Sequence, residues 1–263
     1  MNPKKFFLSA AAAAALVVTS PLLSDCVPAE PAALSRERAA KILKVVDDLW
    51  RGVSSHGIIS MKIQTRHYTR NMRLEAWSKG KALTFVRIIA PLKEKGTATL
   101  KSGGDVYTYL PKTDRTIKIT SGMMMSSWMG SHFTNDDLVK ESRLSDDYDA
   151  EVSFEGSKNG TGVIELTLRP KEESAVVWGA IKITVRRKDY IPVVGVYYDE
   201  DLNPVRTMEF AVIRKMGGRL IPTLLRLTPR DKPEEFTELI YEKMAFDISI
   251  PDSFFTISRI RRK

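Results

Sequence analysis

The sequence is poor in the residues and motifs from which most enzyme and metal sites are built. It contains one cysteine, Cys26, which excludes an intramolecular disulfide. The three histidines, His56, His67 and His132, lie far apart without the spacing of metal ligands. P-loop, dinucleotide-binding, H-E-x-x-H and G-x-S-x-G sequences are all missing. We therefore expect no cofactor, no metal and no catalytic activity.

One serine leaves a hydrolase open as a third hypothesis. Residues 130–132 read Gly-Ser-His, which begins like a nucleophile elbow but lacks its second glycine. A histidine that merely follows Ser131 in sequence does not establish a catalytic pair. The paired acids at positions 136–137 and 146–147 suit the first turn of a helix better than a catalytic or calcium site.

Apolar runs long enough to span a bilayer, about 20 residues, are also absent. The N-terminus instead has Lys4 and Lys5 followed by a shorter apolar run over residues 6–18, the pattern of a secretory signal peptide. We therefore predict a signal peptide over residues 1–29 and a single domain over residues 30–263. The protein is expected to leave the cytoplasm.

Two positions compete as the cleavage site of this predicted signal peptide. Residues 23–26 resemble a lipoprotein box, in which a lipid is attached to Cys26, but the preceding residue should be small and Asp25 is not. Ordinary cleavage after Ala29, with Val27 and Ala29 as the small residues, competes with it. We expect cleavage at residue 29, with cleavage at residue 25 and lipidation of Cys26 as the alternative.

The composition is that of a folded, basic protein. Charged residues make up 28% of the chain, and the formal net charge is +9. A nucleic-acid partner is not expected, because the basic residues are spread along the chain and no nucleic-acid module accompanies them. Transient contact with an anionic membrane surface fits this charge better.

Periodicity predicts one helix followed by many strands. Ser35 can cap a helix that runs to Trp50, with Ile42 and Val46 on its apolar side. From Gly57 the hydrophobic period changes to two, with turn signals between the runs. The predicted strands cover residues 59–65, 72–77, 81–89, 97–101, 106–110, 115–120, 162–169, 181–187, 192–198, 205–214, 220–228 and 236–246. This pattern favours a mainly β, α+β protein with one antiparallel sheet curled into a barrel or half-barrel.

A methionine-rich segment over residues 122–130 interrupts the alternation. A shared helical face is predicted for Met125, Trp128 and Met129, with Phe133 one turn later. Methionine is flexible and polarizable, so it suits apolar ligands of variable shape. The segment is therefore either part of a ligand site or core that closes one end of the barrel.

Five segments resemble the LolA-like outer-membrane lipoprotein-sorting proteins in order and spacing. They are Ala90–Leu100, with its Pro and Gly-Thr-Ala pattern, the Tyr-Leu-Pro strand end of Val106–Pro111, the Met-Gly-Ser signature of Trp128–Leu138, and the tail segments Gly217–Thr223 and Phe246–Phe255. The resemblance covers nearly the whole predicted mature chain. One departure is at position 132, where many members have an acid and this chain has histidine.

The resemblance implies an incomplete antiparallel barrel with a helical lid on its concave face and an apolar cavity beneath the lid. It implies a periplasmic carrier of lipid or lipoprotein acyl chains that works with an inner-membrane transporter, for which the resistance-nodulation-division type is one candidate. A periplasmic adaptor subunit that binds no lipid is the alternative. On the carrier reading the cavity or lid residues are Met123, Met124, Met125, Trp128, Met129, Phe133, Ile42, Val46 and Trp50.

Overall fold

The computed structural model describes residues 32–139, 144–174 and 176–261. The predicted signal peptide and Cys26 lie outside these residues, so their cleavage and lipidation remain predictions. Among the described residues, no helix has both the length and the apolar character needed to cross a membrane.

The described part of the chain starts with one long helix and continues mainly as strands. The helices are α1 (Ala32–Asp48), α2 (Asn135–Val139), α3 (Leu144–Asp147) and α4 (Ile257–Ile260), with 3-10 turns at Ser121–Met123 and Asp252–Phe254. The strands are β1 (Ser54–Gln64), β2 (Thr69–Lys79), β3 (Leu83–Ala90), β4 (Ala98–Ser102), β5 (Asp105–Leu110), β6 (Arg115–Ile119), β7 (Tyr148–Lys158), β8 (Thr161–Pro170), β9 (Ala180–Arg186), β10 (Pro192–Tyr198), β11 (Pro204–Met216), β12 (Arg219–Pro229) and β13 (Phe236–Phe246).

All thirteen strands belong to one antiparallel sheet that does not close. Its order is β6-β5-β4-β3-β2-β1-β13-β12-β11-β10-β9-β8-β7, so the first and last strands of the chain pair at the centre. Strands β6 and β7 form the two edges, although they are consecutive in sequence. The chain between them must therefore cross from one edge of the sheet to the other. We call residues 120–139 the crossover segment.

Helix α1 covers the β7 side of the sheet. Its side chains Ala39, Ile42, Leu43 and Val46 pack in one core cluster with the inward-facing side chains of β7, β8 and β9. Burying an aliphatic side chain of this size contributes about 1.5–3 kcal/mol, so this face of α1 holds the helix on the sheet. Ser35 does not cap the helix as predicted, because α1 already begins at Ala32 and the hydroxyl of Ser35 accepts a hydrogen bond from the Val152 backbone.

A second core lies on the same face of the sheet, near its centre. Side chains from β1, β2, β3, β11, β12 and β13 meet there with Trp128 and Phe133 of the crossover segment. Trp128 is 3% exposed, and its indole N–H donates to the hydroxyl of Thr99 at 3.0 Å. The crossover segment is thus anchored on the concave face by two aromatic side chains.

A third core lies on the other face of strands β2–β5. Phe85 and Leu100 pair across β3 and β4 and point away from neighbouring Val86, which belongs to the concave-face core. The C-terminal residues Ile250, Phe255 and Ile260 cover this outer face. The sheet is therefore stabilised from both sides at this end.

The predicted fold class is confirmed, with two local corrections besides the start of α1. Strand β7 was missed, although Tyr148, Ala150 and Val152 alternate with polar residues along it. The expected helical face through Met125, Trp128 and Met129 is wrong, because residues 121–134 form a 3-10 turn followed by loop. The glycine at position 130, at φ 72°, and Met129, at φ 53°, both have left-handed backbone that a helix does not allow.

Candidate functional site

The concave face of the sheet forms a cavity of about 310 Å³ with a mainly aromatic and aliphatic wall, which we call the chamber. Five charged residues also line it: Asp47, Arg51, Asp136, Asp137 and Asp147. Its aliphatic lining comes from α1 and from strands β9, β11, β12 and β13, which present alternate residues inward. The aromatic side chains that line it are Trp50, Phe133, Tyr148, Trp178, Tyr197, Phe210 and Tyr241, and the aliphatic ones are Val46, Leu144, Val176, Ile181, Ile183, Met208, Leu225 and Leu239. Cavities of this size and character bind small apolar ligands.

The tyrosines on the chamber wall are in apolar surroundings. Burial raises the pKa of Tyr241 to about 12 and also raises the pKa of Tyr148 and Tyr197 above the ordinary value. Desolvation disfavours the charged phenolate, which is why these values rise. The same surroundings favour contact with an acyl chain.

Gly195 leaves space on the chamber wall. It lies on β10, opposite Met208 of β11 and Ile183 of β9. A Cβ at this position would meet Tyr197 at 3.5 Å and Met208 and Phe210 at 3.9 Å, which are ordinary van der Waals distances. A Cβ at position 195 would therefore fit on the chamber wall, and a longer side chain would extend from it among the lining residues Tyr197, Met208 and Phe210.

An ion pair fastens the crossover segment to the sheet beside the chamber. The two carboxylate oxygens of Asp137 accept from Nη1 and Nη2 of Arg206, each at 2.6 Å. The Arg206 and Asp137 side chains are only 6% and 14% exposed. Burial by itself lowers the pKa of Arg206, but the hydrogen bonds and charge of Asp137 outweigh it and raise that pKa.

The guanidinium of Arg206 lies against two aromatic rings, those of Trp178 and Tyr197. Its central carbon lies 4.0 Å from the ring centre of Trp178 and 4.3 Å from that of Tyr197. Asp137 in turn completes a capping box, since it accepts from the Thr134 backbone N–H at 2.8 Å while its own N–H donates to the Thr134 hydroxyl. The expected role of an acid at this helix start is confirmed, and the partner Arg206 is new.

Three of the predicted cavity residues line the chamber: Val46, Trp50 and Phe133. Trp50 stacks near Phe210 and Tyr241, with ring centres 5.7 and 6.5 Å away. The others lie elsewhere, with Ile42 in the core under α1 and Trp128 and Met129 in the concave-face core.

The three consecutive methionines, Met123 to Met125, do not lie on one common surface. Met124 packs against Val106 and Ile119 near the β6 edge. Met123 and Met125 are 37% and 49% exposed, and Met125 lines a separate surface groove with His132. A lipid contact for these residues remains a prediction.

Ser131 and His132 point in different directions. The Ser131 hydroxyl donates to the Trp128 carbonyl at 2.7 Å, and the side chain is buried. The ring of His132 contacts the Thr237 hydroxyl at 2.9 Å and the Glu235 carboxylate at 3.2 Å. These two residues therefore anchor the crossover segment and do not form a nucleophile–base pair.

Comparison with known proteins agrees with this architecture. A family model described as an uncharacterized protein matches residues 80–262, well over half of the chain. The chain belongs to that family. No curated protein matches it.

Three solved structures share the fold. A DUF1329 family protein from Desulfovibrio piger has a TM-score of 0.78 at 20% identity, covering 86% of this chain and 99% of that one. A LolA superfamily protein from Nitrosomonas europaea has a TM-score of 0.72 at 21% identity, covering 84% and 98%. An outer membrane lipoprotein-sorting protein domain from Vibrio parahaemolyticus has a TM-score of 0.74 at 20% identity, covering 86% and 100%. The resemblance to LolA-like proteins is confirmed.

Proposed function

We propose that the protein is a periplasmic carrier that shelters a lipid acyl chain, free or attached to a lipoprotein, in the chamber. The chamber itself is the observation that supports this function. Its wall is mainly apolar, and it lies on the concave face of an open sheet, covered by α1 and the crossover segment. The names of two structures with the same fold, a LolA superfamily protein and a lipoprotein-sorting domain, support the same class of function.

The size of the chamber sets the amount of lipid that it shelters. Water occupies about 30 Å³ per molecule, and a methylene group has a similar volume, so about 310 Å³ holds roughly ten methylene groups. Moving ten methylene groups out of water is worth on the order of 8 kcal/mol. That is enough to hold one acyl segment during transfer but still allow its release to a membrane.

The proposed partners follow from this role. A carrier must receive its load from a membrane-bound donor, which we propose is an inner-membrane transporter, with the resistance-nodulation-division type as one candidate. It must also deliver that load towards the outer membrane. An adaptor subunit that binds no lipid is the alternative, and it requires no affinity for acyl chains.

The substitution Gly195→Leu tests the chamber directly. Leucine adds four carbon atoms at a position where a Cβ makes only ordinary contacts, so the longest saturated acyl chain that binds well should shorten by about four carbons. Calorimetric titration with fatty acids of 6 to 16 carbons measures this. Gly104→Leu is the matched control, because a Cβ there meets open space.

The outcomes separate the two functions. A shift in chain-length preference in Gly195→Leu, but not in Gly104→Leu, supports the carrier. Failure of the unaltered protein to bind any chain, together with a lipid-free mass after gentle purification from the periplasm, would favour the adaptor. Binding with unchanged chain-length preference in Gly195→Leu would place the acyl site outside the chamber.

A further inference from the structure

The surface groove beside the crossover segment is a second cavity next to the chamber. It measures about 400 Å³ and lies between the crossover segment, the ends of β11 and β12, and the loop before β9. Six of its lining residues are apolar: Met125, Val177, Trp178, Val205, Leu227 and Pro229. The groove thus offers an apolar surface of the same kind as the chamber wall.

The charged and titratable residues of the groove are paired or face water. Arg206 is neutralised by its ion pair with the crossover segment. Asp199 accepts from the Asn203 backbone N–H at 2.8 Å and so holds its own turn, and Glu200 is exposed. The ring of His132 bonds to the sheet. The groove therefore does not require a charged ligand.

Two strands run directly from the chamber into the groove. On β11, Met208 lines the chamber, and Arg206, two residues away on the same face, lines the groove. On β12 the same step leads from Leu225 to Leu227. Two residues of a strand span about 7 Å. The groove therefore begins one inward-facing position beyond the chamber.

A narrow ridge divides the two cavities. Asp137 lines the chamber, Arg206 lines the groove, and Trp178 lines both. The two charged side chains are buried and in contact at 2.6 Å, and they close the direct path between the cavities. One acyl chain cannot pass from the chamber into the groove unless this ion pair breaks, whereas two chains can lie on opposite sides of the ridge.

We propose that the groove binds a second acyl chain, so that the cargo carries a diacylglycerol unit with one chain in each cavity. This inference rests on the proposed carrier function and names the cargo class for the same site. At about 30 Å³ per methylene group, the groove has room for roughly a dozen of them, similar to the chamber. The two chains of a diacylglycerol leave neighbouring carbon atoms, which suits cavities one strand position apart.

The test compares dioctanoyl phosphatidylcholine with octanoyl lysophosphatidylcholine, which has the same head and one chain, by calorimetric titration below their micelle-forming concentrations. Each buried methylene group strengthens binding about fourfold, so burial of only two in the groove should make the two-chain lipid bind about tenfold more tightly. Met125→Asp puts a charge on the groove wall and should reduce this preference to less than about threefold, with the affinity for the one-chain lipid unchanged.

Met123→Asp is the matched control for this substitution. Met123 belongs to the same segment, is 37% exposed where Met125 is 49% exposed, and lines neither cavity. It should leave the preference for two chains intact. Val177→Asp, on the opposite wall of the groove, is an independent second variant and should act like Met125→Asp.

Two sources supply a diacylglycerol unit, a free phospholipid and the lipidated cysteine of a lipoprotein. A synthetic peptide with a dioctanoylglyceryl cysteine, compared with its one-chain counterpart, repeats the test for the second source. The source that gains more from its second chain is the assigned cargo. Equal affinity for one and two chains in both sources, or equal effects of the Met125 and Met123 variants, would overturn the second acyl site and leave the carrier function standing. Failure of every lipid to bind would overturn the carrier function itself.

Discussion

The ion pair between Arg206 and Asp137 should decide how firmly the crossover segment stays on the sheet. Asp137→Asn preserves the shape of the side chain but removes the hydrogen-bonded counter-charge of the buried Arg206 guanidinium and leaves only the weaker influence of Asp136. Removing one partner of a buried ion pair costs about 3–5 kcal/mol. In a domain of this size that corresponds to a fall in melting temperature of roughly 6–20 °C.

A double-mutant cycle separates the ion pair from simple loss of packing. Arg206→Met keeps apolar bulk between Trp178 and Tyr197 and removes the charge that Asp137 neutralises. The combined Asp137→Asn and Arg206→Met variant should therefore recover most of the stability lost in Asp137→Asn alone. Thermal unfolding followed by circular dichroism measures each corner of the cycle.

The loss of stability in Asp137→Asn should also be confined to the crossover segment. Backbone bonds from Trp128 to Phe133 and from Asn135 to Ser126 hold the crossover segment, so their amide protons should exchange faster in Asp137→Asn while those of β1 and β13 stay protected. Asp105→Asn, which breaks the exposed pair with Lys118, is the control and should cost at most about 1 kcal/mol. A loss in Asp137→Asn no larger than in this control would refute the reasoning, as would a double variant no more stable than the single one.

Two further predictions concern the crossover anchor and acid stability. Trp128→Ala should lower the free energy of unfolding by about 3–5 kcal/mol, because it empties a buried aromatic site and leaves the Thr99 hydroxyl without its donor. Urea denaturation measures this loss. A loss below about 1 kcal/mol would contradict the place of Trp128 in the core. Hydrogen bonds and ion pairs lower the folded-state pKa of three carboxylates, Glu155, Glu235 and Glu242. Their contribution to the free energy of unfolding is therefore present above about pH 4.5 and is lost at lower pH, as acid protonates them. Thermal scans from pH 3 to 7 measure this, and a flat profile would contradict it.

Most of the sheet could be predicted because its signal is local. Strands with one buried face alternate every second residue, and the turn residues mark where each run ends. Strand β7 follows the same rule, but its outer half, from Ser153 to Lys158, is polar and exposed, which weakens the pattern. The start of α1 was misplaced because Ser35 looks like a cap, whereas its hydroxyl accepts from a strand 117 residues away.

The site was harder to predict because its wall is assembled from distant strands. Local features of the sequence identified three lining residues. The apolar face of the predicted helix indicated Val46 and Trp50, and the family signature indicated Phe133. Tyr197 and Leu225 lie at unremarkable inward positions, and only the curvature of the sheet brings them to the same cavity. The partner of Asp137 is 69 residues away at Arg206, and no spacing rule connects them. A lone arginine at an inward position of a strand was the one available signal.

An unfilled chamber lowers the stability of the fold, so other parts of the core must compensate for it. A cavity costs about 24 cal/mol per Å³ when nothing fills it, so 310 Å³ corresponds to on the order of 7 kcal/mol. That is comparable with the whole net stability of a typical domain. The ligand-free protein must therefore gain its stability from well-packed regions, such as Leu43 of α1 on β7–β9 and Phe255 and Ile260 on the outer face. The outer-face core shares no residue with the chamber wall, whereas the core under α1 shares Ile181 and Ile183 with it. The outer face can therefore hold the shape of the sheet while the chamber fills and empties.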